Sequence, residues 1–276
     1  MPDALPWIRP YPSSESSGRP ARAGRRWRVL FFPHAGSSSG SYERLASSLS
    51  GEADTACVQY PGRAEREREP FFTDLHRVAD EVATAFTRWR GGDPVLLFGH
   101  SLGAAVAYEV VRRTADQGRL VLAVSGHPAP SRLPHDRPTV SDDQVARLVG
   151  ELGGADAEFL EHPLLRRLFL PVIRADLTAH ARYRPGAGAD VRCPVVALMG
   201  DRDPLTNPAD VYAWQDHTRA ALRVHTLAGG HFFATEHPEE VADILRLAMH
   251  LPTTPCLRPA RGNADGVFPG QWWHLA

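Results

Sequence analysis

The chain of 276 residues contains no lysine, so all 31 of its basic residues are arginines. A lysine nucleophile or a Schiff-base lysine is therefore excluded. The 31 basic and 32 acidic residues leave a net charge of −1, whereas nucleic-acid-binding proteins usually show a basic excess. The sequence has no run of about 18 apolar residues to span a membrane, and residues 1–27 lack the apolar core of a signal peptide. We expect a cytoplasmic protein that binds neither nucleic acid nor membrane.

Cysteine is also scarce. Cys57, Cys193 and Cys256 are an odd number of widely spaced residues. They form neither a disulfide framework nor a Cys-x-x-Cys metal signature, which favours a reduced, intracellular protein.

The composition is otherwise that of an ordinary globular protein, with 43% hydrophobic and 23% charged residues. Residues 1–26 and 251–276 are rich in proline, glycine and arginine, and we interpret them as an irregular leader and an irregular tail. The body between them, residues 27–250, is predicted to form one domain.

Short apolar runs alternate with helical patterns along this body, at residues 28–33, 55–60, 94–99, 120–126, 194–200 and 222–228. Several runs are continuously apolar, which is typical of strands buried on both faces. The alternation predicts an α/β fold with a mostly parallel central sheet flanked by helices.

Residues 131–184 interrupt this rhythm because they contain helical patterns but no good strand. Ser141 and Gln144 have the spacing of a capping box, and Pro171 predicts a kink in the following helix. Such a helical insertion is either packing filler or a lid over a site, and we expect a lid.

The strongest chemical signal is the sequence G-H-S-L-G at residues 99–103. It lies between an apolar run and a helical pattern, as a nucleophile elbow does in a G-x-S-x-G motif. The elbow would present Ser101 at the carboxyl edge of the sheet, where α/β proteins bind their ligands. The alternative is an ordinary serine in a turn.

A serine nucleophile needs a base, and the α/β-hydrolase fold supplies an acid and then a histidine after the serine. Asp201 and Asp203 directly follow the run at residues 194–200. The G-x-x-D spacing favours Asp203 as the acid and leaves Asp201 as a turn residue. His231 lies in a G-G-H-F-F loop after the last run, and we predict that it is the base. His100 is expected to pack beneath the turn.

An acyl-transfer site also needs N–H donors for the oxyanion. We predict the backbone N–H of Leu102, which follows the nucleophile, and that of Ala35 in the loop P-H-A-G-S-S-S-G at residues 33–40. The alternative for this loop is a flexible turn.

These motifs together resemble one family. F-F-P-H-A-G at residues 31–36, Q-Y-P-G-R at 59–63, G-H-S-L-G-A at 99–104, G-D-R-D-P at 200–204 and G-G-H-F-F at 229–233 occur in the order found in type II thioesterases of nonribosomal peptide and polyketide pathways. The family often has methionine where Leu102 stands, but only its backbone would be used. The resemblance does not account for the tail.

The resemblance implies hydrolysis of stalled or aberrant acyl groups from the phosphopantetheine arm of acyl or peptidyl carrier proteins. It implies Ser101, Asp203 and His231 as the triad, Ala35 and Leu102 as oxyanion donors, and a lid at residues 131–184. The enzyme itself would need no metal and no cofactor, because the phosphopantetheine arrives with the substrate. We expect a monomer.

Other functions remain open at this point. The same triad would serve a carboxylesterase or lipase acting on oxygen esters, or a terminal thioesterase acting as a cyclase. A third alternative is a hydrolase-fold binding protein that does not catalyse a reaction. Arg63 could contact the phosphate of the arm or form a salt bridge with a local glutamate. Acyl-chain length is expected to depend on lid residues such as Leu164, Phe169 and Ile173.

Overall fold

The structure of the protein is a computed structural model that describes residues 7–12, 26–133, 141–153, 162–186 and 190–251. Its centre is a seven-stranded sheet with strands β1 (Ile8–Pro10), β2 (Trp27–Phe32), β3 (Ala53–Val58), β4 (Val95–His100), β5 (Leu120–Ser125), β6 (Val195–Gly200) and β7 (Leu222–Leu227). The spatial order is β1-β3-β2-β4-β5-β6-β7, and only β1 runs antiparallel to its neighbour. All six predicted strands are present within two residues of their expected bounds, which confirms the mostly parallel sheet.

Helices cover both faces of this sheet, and they are α1 (Glu43–Leu49), α2 (Leu75–Arg90), α3 (Leu102–Arg113), α4 (Asp142–Leu152), α5 (Pro163–Arg182), α6 (Pro208–Tyr212), α7 (Phe233–Glu236) and α8 (Pro238–Met249). Alternate residues of β2 face opposite cores. Leu30 and Phe32 belong to the core that includes α2 and α3, whereas Val29 and Phe31 belong to the core that includes α1 and α8. Burial on both faces explains why several of the strand sequences are continuously apolar.

Strand β1 corrects the expectation that residues 1–26 are irregular throughout. Ile8 is buried, the N–H of Gln59 donates to the carbonyl of Trp7, and the Arg66 guanidinium lies 4.1 Å from the centre of the Trp7 ring. Pro10 is tolerated because β1 is an edge strand. The rest of the predicted leader, apart from residues 11, 12 and 26, lies outside the described residues, as do residues 252–276 of the predicted tail.

The insertion between β5 and β6 contributes α4 and α5 in the described part of residues 131–184, and no strand there. The predicted capping box is confirmed, since Ser141 and Gln144 exchange both of its hydrogen bonds. Helix α5 continues through Pro171 without a break. The two helices pack through a small apolar cluster of their own, made of Val145, Val149, Leu170 and Ile173. No helix in the described ranges has the length and hydrophobicity to cross a membrane.

Candidate active site

The turn from β4 to α3 has the geometry of a strained elbow. Ser101 adopts φ +53° and ψ −124°, a backbone conformation that L residues rarely occupy. The flanking glycines are required by space: a Cβ on Gly103 would lie 2.0 Å from the Phe32 carbonyl oxygen, and one on Gly99 would lie 2.3 Å from the Gly103 oxygen. The elbow therefore depends on glycine at both positions, as the G-x-S-x-G pattern predicts.

Two loops at the neighbouring strand ends bring the predicted acid and base together. Asp203 follows β6 and His231 follows β7, and both are almost fully buried. The His231 Nδ1 and the Asp203 Oδ2 are 3.0 Å apart. The Asp203 carboxylate also accepts hydrogen bonds from the Leu205 N–H at 2.9 Å and the Thr206 hydroxyl at 3.1 Å.

These contacts decide the protonation state of Asp203 and the orientation of the His231 ring. Burial raises the pKa of Asp203, but the hydrogen bonds from His231, Leu205 and Thr206 outweigh it and leave the pKa below its ordinary value of 3.8. The carboxylate is therefore ionised at neutral pH and can only accept hydrogen bonds. His231 must donate from Nδ1, which leaves Nε2 as the proton acceptor of the neutral ring.

Asp201 has a different position. Its side chain is exposed, and its Oδ1 accepts the Gly229 N–H at 2.8 Å across the turn that leads to His231. The Asp201 side chain stabilises this turn, and in the described part of the chain it makes no hydrogen bond with the His231 imidazole. The geometry thus pairs His231 with Asp203, and the catalytic roles of both remain predictions.

A group of aromatic rings surrounds His231. The His100 ring lies 5.0 Å from the His231 ring, and the Phe232 ring packs against both. His34 contacts His100 and Phe232 and is hydrogen bonded through Nδ1 to the Tyr42 hydroxyl at 2.8 Å. His100 is fully buried as expected, with its Nδ1 3.0 Å from the Ser125 hydroxyl.

The two predicted oxyanion donors lie at chain positions that suit the role. Leu102 is the first residue of α3, where N–H groups have no partner within the helix. Ala35 lies in the loop after β2, which we call the oxyanion loop (residues 33–40). Within the part of the chain that the structure describes, neither N–H donates to a protein acceptor. Both remain available to a ligand.

Arg63 does not form the salt bridge with a local glutamate that was one of its two alternatives. Its guanidinium is buried and forms a two-pronged salt bridge with Asp176 of α5, with both N–O distances 2.6 Å. The local glutamate is used instead by Arg66, which pairs with Glu69. Sequence reasoning does not identify Asp176, although it is the only acidic residue in the sequence of α5.

The predicted lid residues differ in their surroundings. A pocket of about 230 Å³ lies between the oxyanion loop and α5, and Phe169 and Ile173 line it together with Ser37, Ser38 and Ser41. Leu164 does not line this pocket and is 60% exposed. The effect of these residues on chain length stays a prediction.

The cysteines of the described region are unsuited to act as nucleophiles. Cys57 and Cys193 are both fully buried and unpaired by disulfides. Burial raises the pKa of each thiol to about 12, which keeps both protonated at neutral pH.

Comparison with known proteins shows which family the chain resembles. Residues 28–248 match the family model of the thioesterase domain. Thioesterase PikA5 of Streptomyces venezuelae is 34% identical over 249 residues, which cover 87% of this chain and 88% of that protein. The solved structure of the type II thioesterase BorB, from the borrelidin biosynthetic cluster, has a TM-score of 0.76 and 35% identity over 89% of this chain and 98% of its own. RedJ, a thioesterase from the prodiginine pathway in Streptomyces coelicolor, has a TM-score of 0.72 and 33% identity, covering 86% and 93%.

Proposed function

The chain belongs to the thioesterase family, and from this premise we propose that it hydrolyses acyl thioesters carried on the phosphopantetheine arm of carrier proteins. Its role in a polyketide or nonribosomal peptide pathway would be to remove stalled or aberrant acyl groups. The observation that carries the proposal is the buried Asp203–His231 pair, 3.0 Å apart, at the same edge of the sheet as the Ser101 elbow.

In the acylation half of the reaction, the Ser101 Oγ attacks the thioester carbonyl carbon while the His231 Nε2 takes the hydroxyl proton. The carbonyl oxygen becomes an oxyanion, which accepts hydrogen bonds from the N–H groups of Ala35 and Leu102. When the carbonyl double bond re-forms, the C–S bond breaks, and the leaving sulfur takes the proton from His231. The products are an acyl-Ser101 ester and a free pantetheine thiol.

In the deacylation half, water replaces the thiol. The water attacks the acyl carbon while His231 accepts a proton from it. His231 then returns that proton to the Ser101 oxygen as the bond between this oxygen and the acyl carbon breaks. The Asp203 carboxylate stabilises the imidazolium in both halves. This chemistry uses no cofactor of the enzyme, since phosphopantetheine belongs to the substrate.

The proposed partners are acyl or peptidyl carrier proteins. We propose that this chain acts as a monomer. Helix α5 of the lid lies beside the oxyanion loop, and α4 packs against α5. In this position the lid would exclude water and contact the acyl group.

The experiment is release of radiolabelled acyl groups from a loaded carrier protein by the wild type, by Ser101→Ala and by Ser47→Ala. Ser47 is an exposed residue of α1 and serves as the matched control. A series of acyl chains is run in parallel with p-nitrophenyl esters of the same acids. We expect the wild type and Ser47→Ala to release thioester-bound acyl groups at similar rates, and Ser101→Ala to release them at the background rate.

Other outcomes would count against the proposal. Cleavage of the oxygen esters with no release from the carrier would support an esterase instead. Release that persists in Ser101→Ala would contradict the assigned nucleophile.

A further inference from the structure

Asp176 of α5 receives hydrogen bonds from two separate parts of the body. Its side chain is fully buried, its Oδ2 accepts the Gly36 N–H at 2.8 Å, and both oxygens accept from the Arg63 guanidinium at 2.6 Å. One carboxylate of the lid helix therefore holds both the oxyanion loop and the P-G-R segment.

Arg63 is itself held in a fixed position. It donates to the Ser37 carbonyl at 3.3 Å, so it reaches the oxyanion loop directly as well as through Asp176. Its guanidinium lies 5.4 Å from the centre of the Tyr60 ring and 5.9 Å from that of Phe72. A planar, permanently charged group with these contacts gives Asp176 little freedom to move.

Helix α5 contacts Gly36 through close packing as well as through a hydrogen bond. Gly36 has φ +82°, and a Cβ there would lie 2.4 Å from the Ile173 Cγ1, one helical turn before Asp176. Helix α5 thus touches the Gly36 backbone with an apolar side chain and a carboxylate on the same face. The N–H that Asp176 binds belongs to the peptide group directly after Ala35, so this bond orients the residue assigned as an oxyanion donor.

We propose that Asp176 is a positioning residue that couples the lid helix α5 to the oxyanion loop, so that the Ala35 N–H is correctly aimed only while the Asp176 carboxylate holds Gly36. The proposal rests on the proposed function, because the oxyanion role of Ala35 is part of it. Buried ion pairs are often no more stabilising than apolar residues of the same volume. Stability alone therefore does not account for an acid in this position.

The test separates the Gly36 hydrogen bond from the buried charge. Removing Asp176 alone would leave Arg63 buried without its counter-ion, which is strongly destabilising. Two double variants avoid this: Arg63→Gln with Asp176→Asn, and Arg63→Gln with Asp176→Leu. Both lack the charges, and the side chains at position 176 are similar in size. Only the asparagine variant keeps an acceptor for the Gly36 N–H.

Four quantities are measured for both variants and the wild type: the rate of Ser101 labelling by a fluorophosphonate, kcat and KM on an acyl-pantetheine thioester, and the thermal midpoint Tm. The phosphonate places a P–O oxygen in the oxyanion site whatever acyl group the enzyme prefers. Because small misplacements of catalytic groups cost up to about 10²-fold in rate, we expect the leucine variant to show labelling and kcat at least roughly tenfold below the asparagine variant, with similar KM.

Equal labelling and equal kcat in the two folded variants would overturn the proposal, as would a loss confined to KM. If the leucine variant does not fold, Asp176→Glu decides, since it keeps the charge but moves the carboxylate by one methylene. A tenfold loss of labelling in that variant supports the proposal, and an unchanged rate overturns it. A wild type that is not labelled at all would instead contradict the proposed serine hydrolase.

Discussion

At the scale of single residues, the choice between Asp201 and Asp203 is made by one contact. The two carboxylates are two positions apart, but only Asp203 reaches the His231 Nδ1, whereas Asp201 accepts the Gly229 N–H. An amide at position 203 would present either an oxygen without charge or an NH₂ group to His231. The uncharged oxygen would stabilise the imidazolium less, and the NH₂ group would donate to Nδ1 and favour the wrong tautomer. We therefore expect Asp203→Asn to lower kcat by roughly 10³- to 10⁴-fold.

Asp201→Asn is the matched control for this change. Its side-chain oxygen can still accept the Gly229 N–H, so we expect a kcat within a few-fold of the wild type. Both variants are assayed on the same thioester, with circular dichroism to verify folding. A larger loss in Asp201→Asn than in Asp203→Asn would reverse the assignment.

Sequence reasoning succeeds at this scale where a residue's surroundings are local. Ser101 and Leu102 are predictable because the whole motif lies within five consecutive residues. One of its glycines answers to local backbone, since a Cβ on Gly99 would meet Gly103, although Gly103 itself is required by the Phe32 carbonyl of β2. Asp176 is not predictable, because its partner Arg63 lies 113 residues away in the chain. An acid within an otherwise apolar and basic helix is a signal that a distant partner exists, but it does not identify the partner.

At the scale of elements, the turn between β4 and α3 stores strain at its nucleophile. A positive φ at a residue with a Cβ costs of the order of 1–3 kcal/mol, and Ser101 has φ +53°. Glycine relieves this strain, although it also makes the unfolded chain more flexible. We expect Ser101→Gly to be more stable than Ser101→Ala by about 1 kcal/mol.

The measurement is urea unfolding of the two variants under identical conditions. Neither has a nucleophile, so the difference reports the backbone alone. Equal stability would mean that the elbow is relaxed in spite of its dihedral angles.

Elements differ in how well sequence predicts them. Strands such as β4, β5 and β6 are predictable because burial on both faces makes each run almost continuously apolar. Strand β7 is only partly buried, and its sequence L-R-V-H-T-L mixes apolar and polar residues. Strand β1 is not predictable, since it has three residues, ends in proline and is held by pairing with β3 and by the Arg66–Trp7 contact. Its existence depends on tertiary contacts that local composition does not encode.

At the scale of the whole molecule, the parallel sheet assembles the site from distant segments. Strands β4, β6 and β7 end at one edge, so the turns that follow them carry Ser101, Asp203 and His231 to the same place. Gly126, at the end of the intervening strand β5, leaves space for the His100 and His231 rings. A Cβ there would lie 2.7 Å from the His100 Cε1 and 3.3 Å from the His231 Cε1. Strand order, which a sequence does not state, decides that these loops are neighbours.

The stability of the whole fold should depend on pH through the histidine buried under this edge. Burial, together with the nearby imidazoles of His231 and His34, holds the pKa of His100 well below its ordinary value of 6.5. The unfolded chain therefore binds a proton at this residue near pH 6.5, and the native protein does not. The free energy of unfolding therefore keeps its full value above that pH. It falls as the pH drops below it, by about 1.4 kcal/mol per pH unit for one proton.

We expect the free energy of unfolding of the wild type to fall by about 1.4 kcal/mol more between pH 7.5 and 5.5 than that of His100→Gln. Glutamine can still form a hydrogen bond with the Ser125 hydroxyl but has no proton to gain. Urea unfolding at several pH values measures the difference, and His250→Gln, at an exposed position, controls for the loss of an imidazole. Parallel pH profiles for the wild type and His100→Gln would show that His100 becomes protonated in the native state, and that the rings around His231 tolerate a charge at the centre of the site.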